Sequence, residues 1–102
     1  MKKSEIFQIV LHTVSESTEI SKEQITSDCR IAEVTDARCI TIFWLKQVSL
    51  TANNIMKLFG FKSHASVCYH LSQYNAKLKT DNCFRYQALY IGEQIIKSGV
   101  KK

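Results

Sequence analysis

Apolar residues recur along this chain at steps of three and four, the spacing that gathers side chains onto one face of an α-helix. Ile6, Phe7, Val10, Leu11 and Val14 predict a first helix over about residues 4–16. The "SKEQ" run at 21–24 has the form of a capping box, with the Ser21 hydroxyl and the Gln24 side chain covering free amides. It predicts a short second helix ending near Asp28. Thr35 or Asp36 is expected to cap a third helix running through "ARCITIFWLKQV". Ile40, Phe43, Trp44 and Val48 form one stripe there, and Ile42 and Leu45 widen it. A helix apolar on most sides is usually the central one, so Trp44 should be a core anchor.

In "SLTANNIMKLFG", Thr51 can cap a helix of about two turns with Ile55, Leu58 and Phe59 facing inward, and Gly60 can take the left-handed conformation that ends it. After a turn through Phe61 and Lys62, Ser63 is well suited to cap a longer helix. Val67, Leu71, Tyr74 and Leu78 mark its buried side, and Thr80-Asp81-Asn82 breaks it. The last helix is expected over about 82–98, with Phe84, Leu89, Ile91, Ile95 and Ile96 as its apolar positions. Phe7, Phe43, Phe59, Tyr74, Phe84 and Tyr90 read as core aromatics, while Tyr69 and Tyr86 are left open. The prediction is an all-α bundle of about six helices, one domain over 1–102, with a helix-turn-helix at about 52–79 flanked by helices at about 4–16 and 82–98.

Composition supports that reading: the chain has no proline and three glycines, which argues against a loop-rich or all-β fold. No apolar run approaches the roughly 20 residues that cross a bilayer, and no signal-peptide stretch follows Met1-Lys2-Lys3, so no membrane partner and a cytoplasmic, nucleoid-associated location are expected. The four cysteines, Cys29, Cys39, Cys68 and Cys83, form no C-x-x-C pair and read as reduced, mostly core thiols. Cys68 and His70 would point about 200° apart on a helix, so no metal site is expected. His12, His64 and His70 stand in no visible arrangement with a carboxylate or nucleophile. With no glycine-rich phosphate loop either, neither enzyme activity nor a cofactor is expected.

Charge changes the picture further. Residues 1–36 hold four bases and seven acids, whereas residues 37–102 hold ten bases and two acids. No acid lies between Asp36 and Asp81, while Arg38, Lys46, Lys57, Lys62, Lys77 and Lys79 are all basic. That asymmetry suggests a polyanionic partner.

A two-turn helix, a glycine-containing turn and a longer helix with a small, polar amino end make the pattern of a helix-turn-helix. Such a motif enters the DNA major groove by the amino end of its second helix, where free amides and the positive end of the helix dipole favour phosphate. Side chains there must be short, as Ser63, Ala65 and Ser66 are. Lys62 supplies charge, His64 can donate or accept at a base edge, and Ala65 can pack on a thymine methyl group.

The run "EVTDARCITIFWLKQVSLTANNIMKLFGFKSHASVCYHLSQY", positions 33–74, resembles the C-terminal DNA-binding domain of DnaA replication initiators, a Trp-repressor-like helical fold. Val34 and Arg38, Lys46, Thr51 and Ile55, Phe59-Gly60, and His64 with Ser66-Val67 carry the resemblance. It implies double-stranded DNA as partner, with Arg38 and Lys46 holding phosphates near the two ends of the long helix and the amides after Thr51 holding another. Lys62, Ser63, His64, Ala65 and Ser66 would address the major groove, and Tyr69 could reach a phosphate. The chain departs from the family with Ser63 in place of aspartate, Ala65 in place of threonine, Ser72 and Gln73 where the family is usually basic, and Asp36 near where the family inserts a minor-groove arginine. It contains no G-x-x-x-x-G-K-[ST], so the initiator's ATPase chemistry does not carry over. The leading expectation is a standalone regulatory module for duplex DNA, controlling replication or a mobile element. The alternative is a protein-interaction or oligomerisation domain that keeps the fold, meeting a partner or a second copy through the first helix.

Overall fold

The computed structural model describes residues 2–99 except 28, 30 and 49. Six helices follow in order: α1 Lys3–Thr18, α2 Lys22–Thr26, α3 Ala32–Gln47, α4 Ala52–Phe59, α5 His64–Thr80 and α6 Asn82–Lys97. All six contribute to one buried hydrophobic cluster, with Val10, Ile25, Ile40, Ile55, Val67 and Ile91 each fully excluded from solvent. The all-α prediction holds. So does the central place of the third helix: α3 packs against each of the other five, and nine of its residues are buried, Trp44 among them. A ladder of rings joins it to the carboxyl-terminal helices. Phe43 of α3 stacks on Tyr74 of α5 with centroids 4.0 Å apart, and Tyr74 meets Phe84 of α6 edge-on at 5.6 Å.

Ser21 caps α2, its hydroxyl accepting from the Gln24 amide at 3.2 Å. That helix stops at Thr26 rather than near Asp28, which lies outside the described residues. The start of α3 also corrects the sequence expectation. Neither Thr35 nor Asp36 caps it; α3 begins a turn earlier, at Ala32, after an Ile31 N-cap with no side-chain hydrogen bond. The extra turn buries Val34 and puts Glu33 near the positive end of the helix dipole. It also carries Asp36 onto the helix side facing α5, where Lys77 pairs with it.

α4 and its exit follow the sequence closely. Thr51 and Asn54 form a reciprocal capping box, and Gly60 takes φ 71°. The Phe61 amide donates to the Met56 carbonyl at 2.9 Å and the Gly60 amide to Lys57 at 3.3 Å, the paired bonds of a Schellman end. At the next junction the Asp81 side chain accepts from the Phe84 amide at 3.1 Å and starts α6.

Two further readings are corrected. Only Cys39 of the four thiols is buried. Cys68 and Cys83 are exposed and Cys29 is half-buried, because the outer faces of α5 and α6 carry the exposed pair. Burial pushes the Cys39 thiol up to about 11, against weaker opposing help from Lys77. Tyr90 is not core: it is 55% exposed on the outer side of α6, as are Leu89 and Ile96. Gly92 explains the phase of that helix. A Cβ there would stand 2.9 Å from Cζ2 of Trp44, so α6 turns its glycine side to the tryptophan and leaves Tyr90 outside.

Candidate nucleic-acid interface

α4, the Gly60–Ser63 turn and α5 form a unit with no carboxylate in either helix. Its amino-terminal edge is open. Ser63 occupies the N-cap position of α5 in extended conformation (φ −152°, ψ 162°), but its hydroxyl makes no capping hydrogen bond, contrary to expectation. The amides of the first turn therefore receive no side-chain oxygen from Ser63. Lys62, Ser63, His64 and Ala65 are exposed, Ser66 is half-buried, and Tyr69, one turn on, is 57% exposed.

The turn is held from behind. Phe61 lies between the Phe59 ring, at 5.4 Å and 18°, and the His70 ring, at 5.4 Å and 5°. His70 is buried, and its Nδ1 lies 2.7 Å from the Ser66 carbonyl, so Nδ1–H donates there. Desolvation lowers the pKa of His70, only partly opposed by that hydrogen bond. In front, His64 Nε2 lies 2.6 Å from Oδ1 of Asn53 in the first turn of α4. This contact ties the two helix starts together, and no spacing in the sequence announced Asn53.

The structure places the sequence candidates unevenly. Lys62, Ser63, His64, Ala65, Ser66 and Tyr69 share the start of α5, and the Asn53 contact brings the Thr51 end of α4 beside them. At that end the Asn54 amide already donates to the Thr51 hydroxyl at 3.2 Å, and Lys3 Nζ reaches Asn54 Oδ1 at 3.2 Å. Lys46 is exposed in the last turn of α3. Arg38 lies elsewhere. It is 5% exposed, and its guanidinium donates inward, from Nε to the Ile25 carbonyl at 2.9 Å and from Nη2 to the Cys29 carbonyl at 3.0 Å. It thus satisfies the Ile25 carbonyl at the end of α2, a group the helix itself leaves unpaired, and the Cys29 carbonyl in the connection to α3.

Asp36 is neutralised locally. Its carboxylate accepts from Lys77 Nζ, and the two side chains are only 22% and 28% exposed. Burial alone would lower the Lys77 pKa, but the hydrogen bond and charge of Asp36 outweigh it and the net shift is upward. A groove of about 880 Å³ runs beside this pair, between the end of α2, the start of α3 and the α5 face carrying Ser66, Tyr69 and Gln73. Among the described residues no cluster of His, Cys, Asp and Glu could hold a metal ion, and no helix is long and apolar enough to cross a membrane.

A short capped helix, a Schellman turn and a second helix with an exposed, acid-free amino end define a helix-turn-helix protein. The family described as the bacterial DnaA protein helix-turn-helix matches residues 7–73, and the chain belongs to that family. The chain is also 25% identical, over 95 residues, to the chromosomal replication initiator protein DnaA of Campylobacter concisus (strain 13826). The alignment covers 90% of this chain and 21% of that protein, so the chain spans about a fifth of its relative's length. No solved structure matches the chain.

Proposed function

We propose that this chain binds double-stranded DNA by placing the amino end of α5 in the major groove, and that it acts as a regulator at replication or mobile-element sites. The observation that carries the proposal is the exposed, acid-free first turn of α5, uncapped by Ser63 and preceded by Lys62, in a chain of the DnaA helix-turn-helix family. Lys62 and Tyr69 serve phosphates, with Lys46 at the end of α3 serving the backbone further along. Ser63, His64 and Ala65 face base edges, and Ser66 lies behind them. Asn53 sets what His64 reads. An amide oxygen only accepts, so Nε2 carries the hydrogen toward Asn53 and, in the neutral ring, Nδ1 is left to accept. Its partners in the groove are the exocyclic amines of adenine or cytosine. Arg38 supports this reading only indirectly, by holding the end of α2 against α3.

Selection from a random duplex library, followed by binding titrations across salt, tests the proposal. Affinity should fall linearly on a log–log plot as salt rises, through counterion release. Lys62→Ala should weaken binding to all sequences and lower the slope by about 1. Ser63, His64 and Ala65 substitutions should change the preferred bases. A duplex affinity no greater than that for an unrelated acidic polymer, with these variants indistinguishable from wild type, refutes it.

A further inference from the structure

Six large apolar side chains are exposed among the described residues, and four of them lie on α6: Tyr86 at 73%, Leu89 at 60%, Tyr90 at 55% and Ile96 at 55%. Helical spacing puts Tyr86, Leu89, Tyr90 and Glu93 on the side opposite the buried Phe84, Ala88, Ile91 and Ile95. The outer face of α1 is different in kind, with Lys3, Glu5, Gln8, His12 and Glu16 exposed along it. The surface suited to a protein contact is therefore on the last helix, not the first.

We propose that the outer face of α6 pairs with the same face of a second copy of this chain, the two helices running antiparallel with the two-fold axis between Leu89 and Tyr90. Charge order selects this occupant. Glu93 is the only acid on α6, and Arg85 and Lys97 are its bases. With the axis between 89 and 90, position 93 lies opposite 86, 94 opposite 85, and 97 opposite 82. Each Glu93 then meets Tyr86 of the second copy, within one residue of its Arg85. The two Glu93 residues stay about 10 Å apart along the helix axis at 1.5 Å per residue. Parallel pairing would instead stack Glu93 on Glu93 and Lys97 on Lys97. Arg85 is already positioned: Nε donates to the Leu78 carbonyl at 2.7 Å and Nη2 to Lys79 at 3.3 Å, anchoring the guanidinium on the last turn of α5.

Area sets the strength. Two tyrosines of roughly 150–250 Å² each, more than half exposed, with a leucine and an isoleucine beside them, make a patch on the order of 400–500 Å². Two such patches bury about 800–1,000 Å² in total, at or just under the area a specific interface is expected to clear. The pairing is therefore weak and reversible, and it does not depend on whether the chain binds DNA.

Sedimentation equilibrium of the chain, in reductant so that the exposed Cys68 and Cys83 cannot cross-link, reads the result directly. A reversible monomer–dimer equilibrium is expected. Leu89→Lys should weaken it at least tenfold with little change in helicity or melting temperature, since Leu89 is 60% exposed and lies outside the buried cluster. Glu93→Lys should weaken it several-fold, with a loss that shrinks as salt rises. A wild type that stays monomeric, or a Leu89→Lys chain that dimerises like wild type, overturns the proposal. So does a chain that stays monomeric while another protein covers Leu89.

Discussion

Arg38 separates two accounts of one residue. If it held a phosphate, Arg38→Ala would leave stability alone and take about 1 from the salt slope of duplex binding. Its observed place predicts the reverse. Nε and Nη2 serve the carbonyls of Ile25 and Cys29, with a longer contact at 3.4 Å to Gln24. A hydrogen bond from a charged donor contributes about 1.5–3 kcal/mol net, and its loss leaves a buried carbonyl unpaired. Because bonds sharing one side chain are not additive, Arg38→Ala should cost about 3–4 kcal/mol. At about 4–8 °C per kcal/mol in a domain of this size, the melting temperature should fall on the order of 20 °C. A starting stability of about 5–15 kcal/mol leaves the variant folded in the cold. Calorimetry gives the stability, and duplex titrations at low temperature across salt give the slope. A lower melting temperature with an unchanged slope is the expected pair. An unchanged melting temperature with a slope reduced by about 1 would refute the assignment.

Three other outcomes follow from named contacts. Gly92→Ala should be destabilising by about 0–2 kcal/mol in urea titration: crowding the Trp44 ring costs about 1–3 kcal/mol, and the helix preference for alanine returns about 1. A clear gain in stability would mean that the tryptophan moves aside freely. Because burial depresses the His70 pKa, the folded chain resists a proton that the unfolded chain accepts. The contribution is complete above the ordinary value of 6.5 and is lost as pH falls from there through the lowered value. Stability should therefore decline as pH falls below about 6.5, and His70→Phe should flatten that decline. Asp36→Asn should lower stability by about 1 kcal/mol, through loss of the half-buried pair with Lys77, while modestly raising duplex affinity at low salt by removing a carboxylate and leaving the charge of Lys77 unbalanced near the far end of α5; a fall in affinity at low salt would count against the placement of that pair.

Some features decided within one turn of chain were legible in the sequence, although Ser63, Thr35 and Asp36, read as caps by the same rule, cap nothing. Ser21, Thr51 and Gly60 act on amides and carbonyls three to five residues away, so residue type alone announces them. The central helix was legible because apolar residues on all its sides leave it nowhere else to go. Arg38 was not: an arginine in that register reads alike whether its partner is a phosphate or carbonyls 9 and 13 residues back across a loop. The same non-local bonds go with the early start of α3, which moved Asp36 from cap to ion pair. On α6 the apolar residues go nearly all the way round, and periodicity alone gives no phase. The glycine at 92 was the one local sign, since only a residue without a side chain lets a helix lie that close to a tryptophan.

The amino end of α5 combines two properties that usually conflict. A helix start without a capping side chain gives up about 1 kcal/mol and tends to fray. Here the restraint comes from around the end rather than from on top of it. The Schellman bonds fix the turn, Phe61 is stacked between Phe59 and His70, and His64 is tied to Asn53. None of these uses the Ser63 hydroxyl or brings a carboxylate near. The first turn of α5 is thus held in place by its neighbours while its own capping position stays open. An external anion meeting it would complete the helix end rather than displace a residue that already does so.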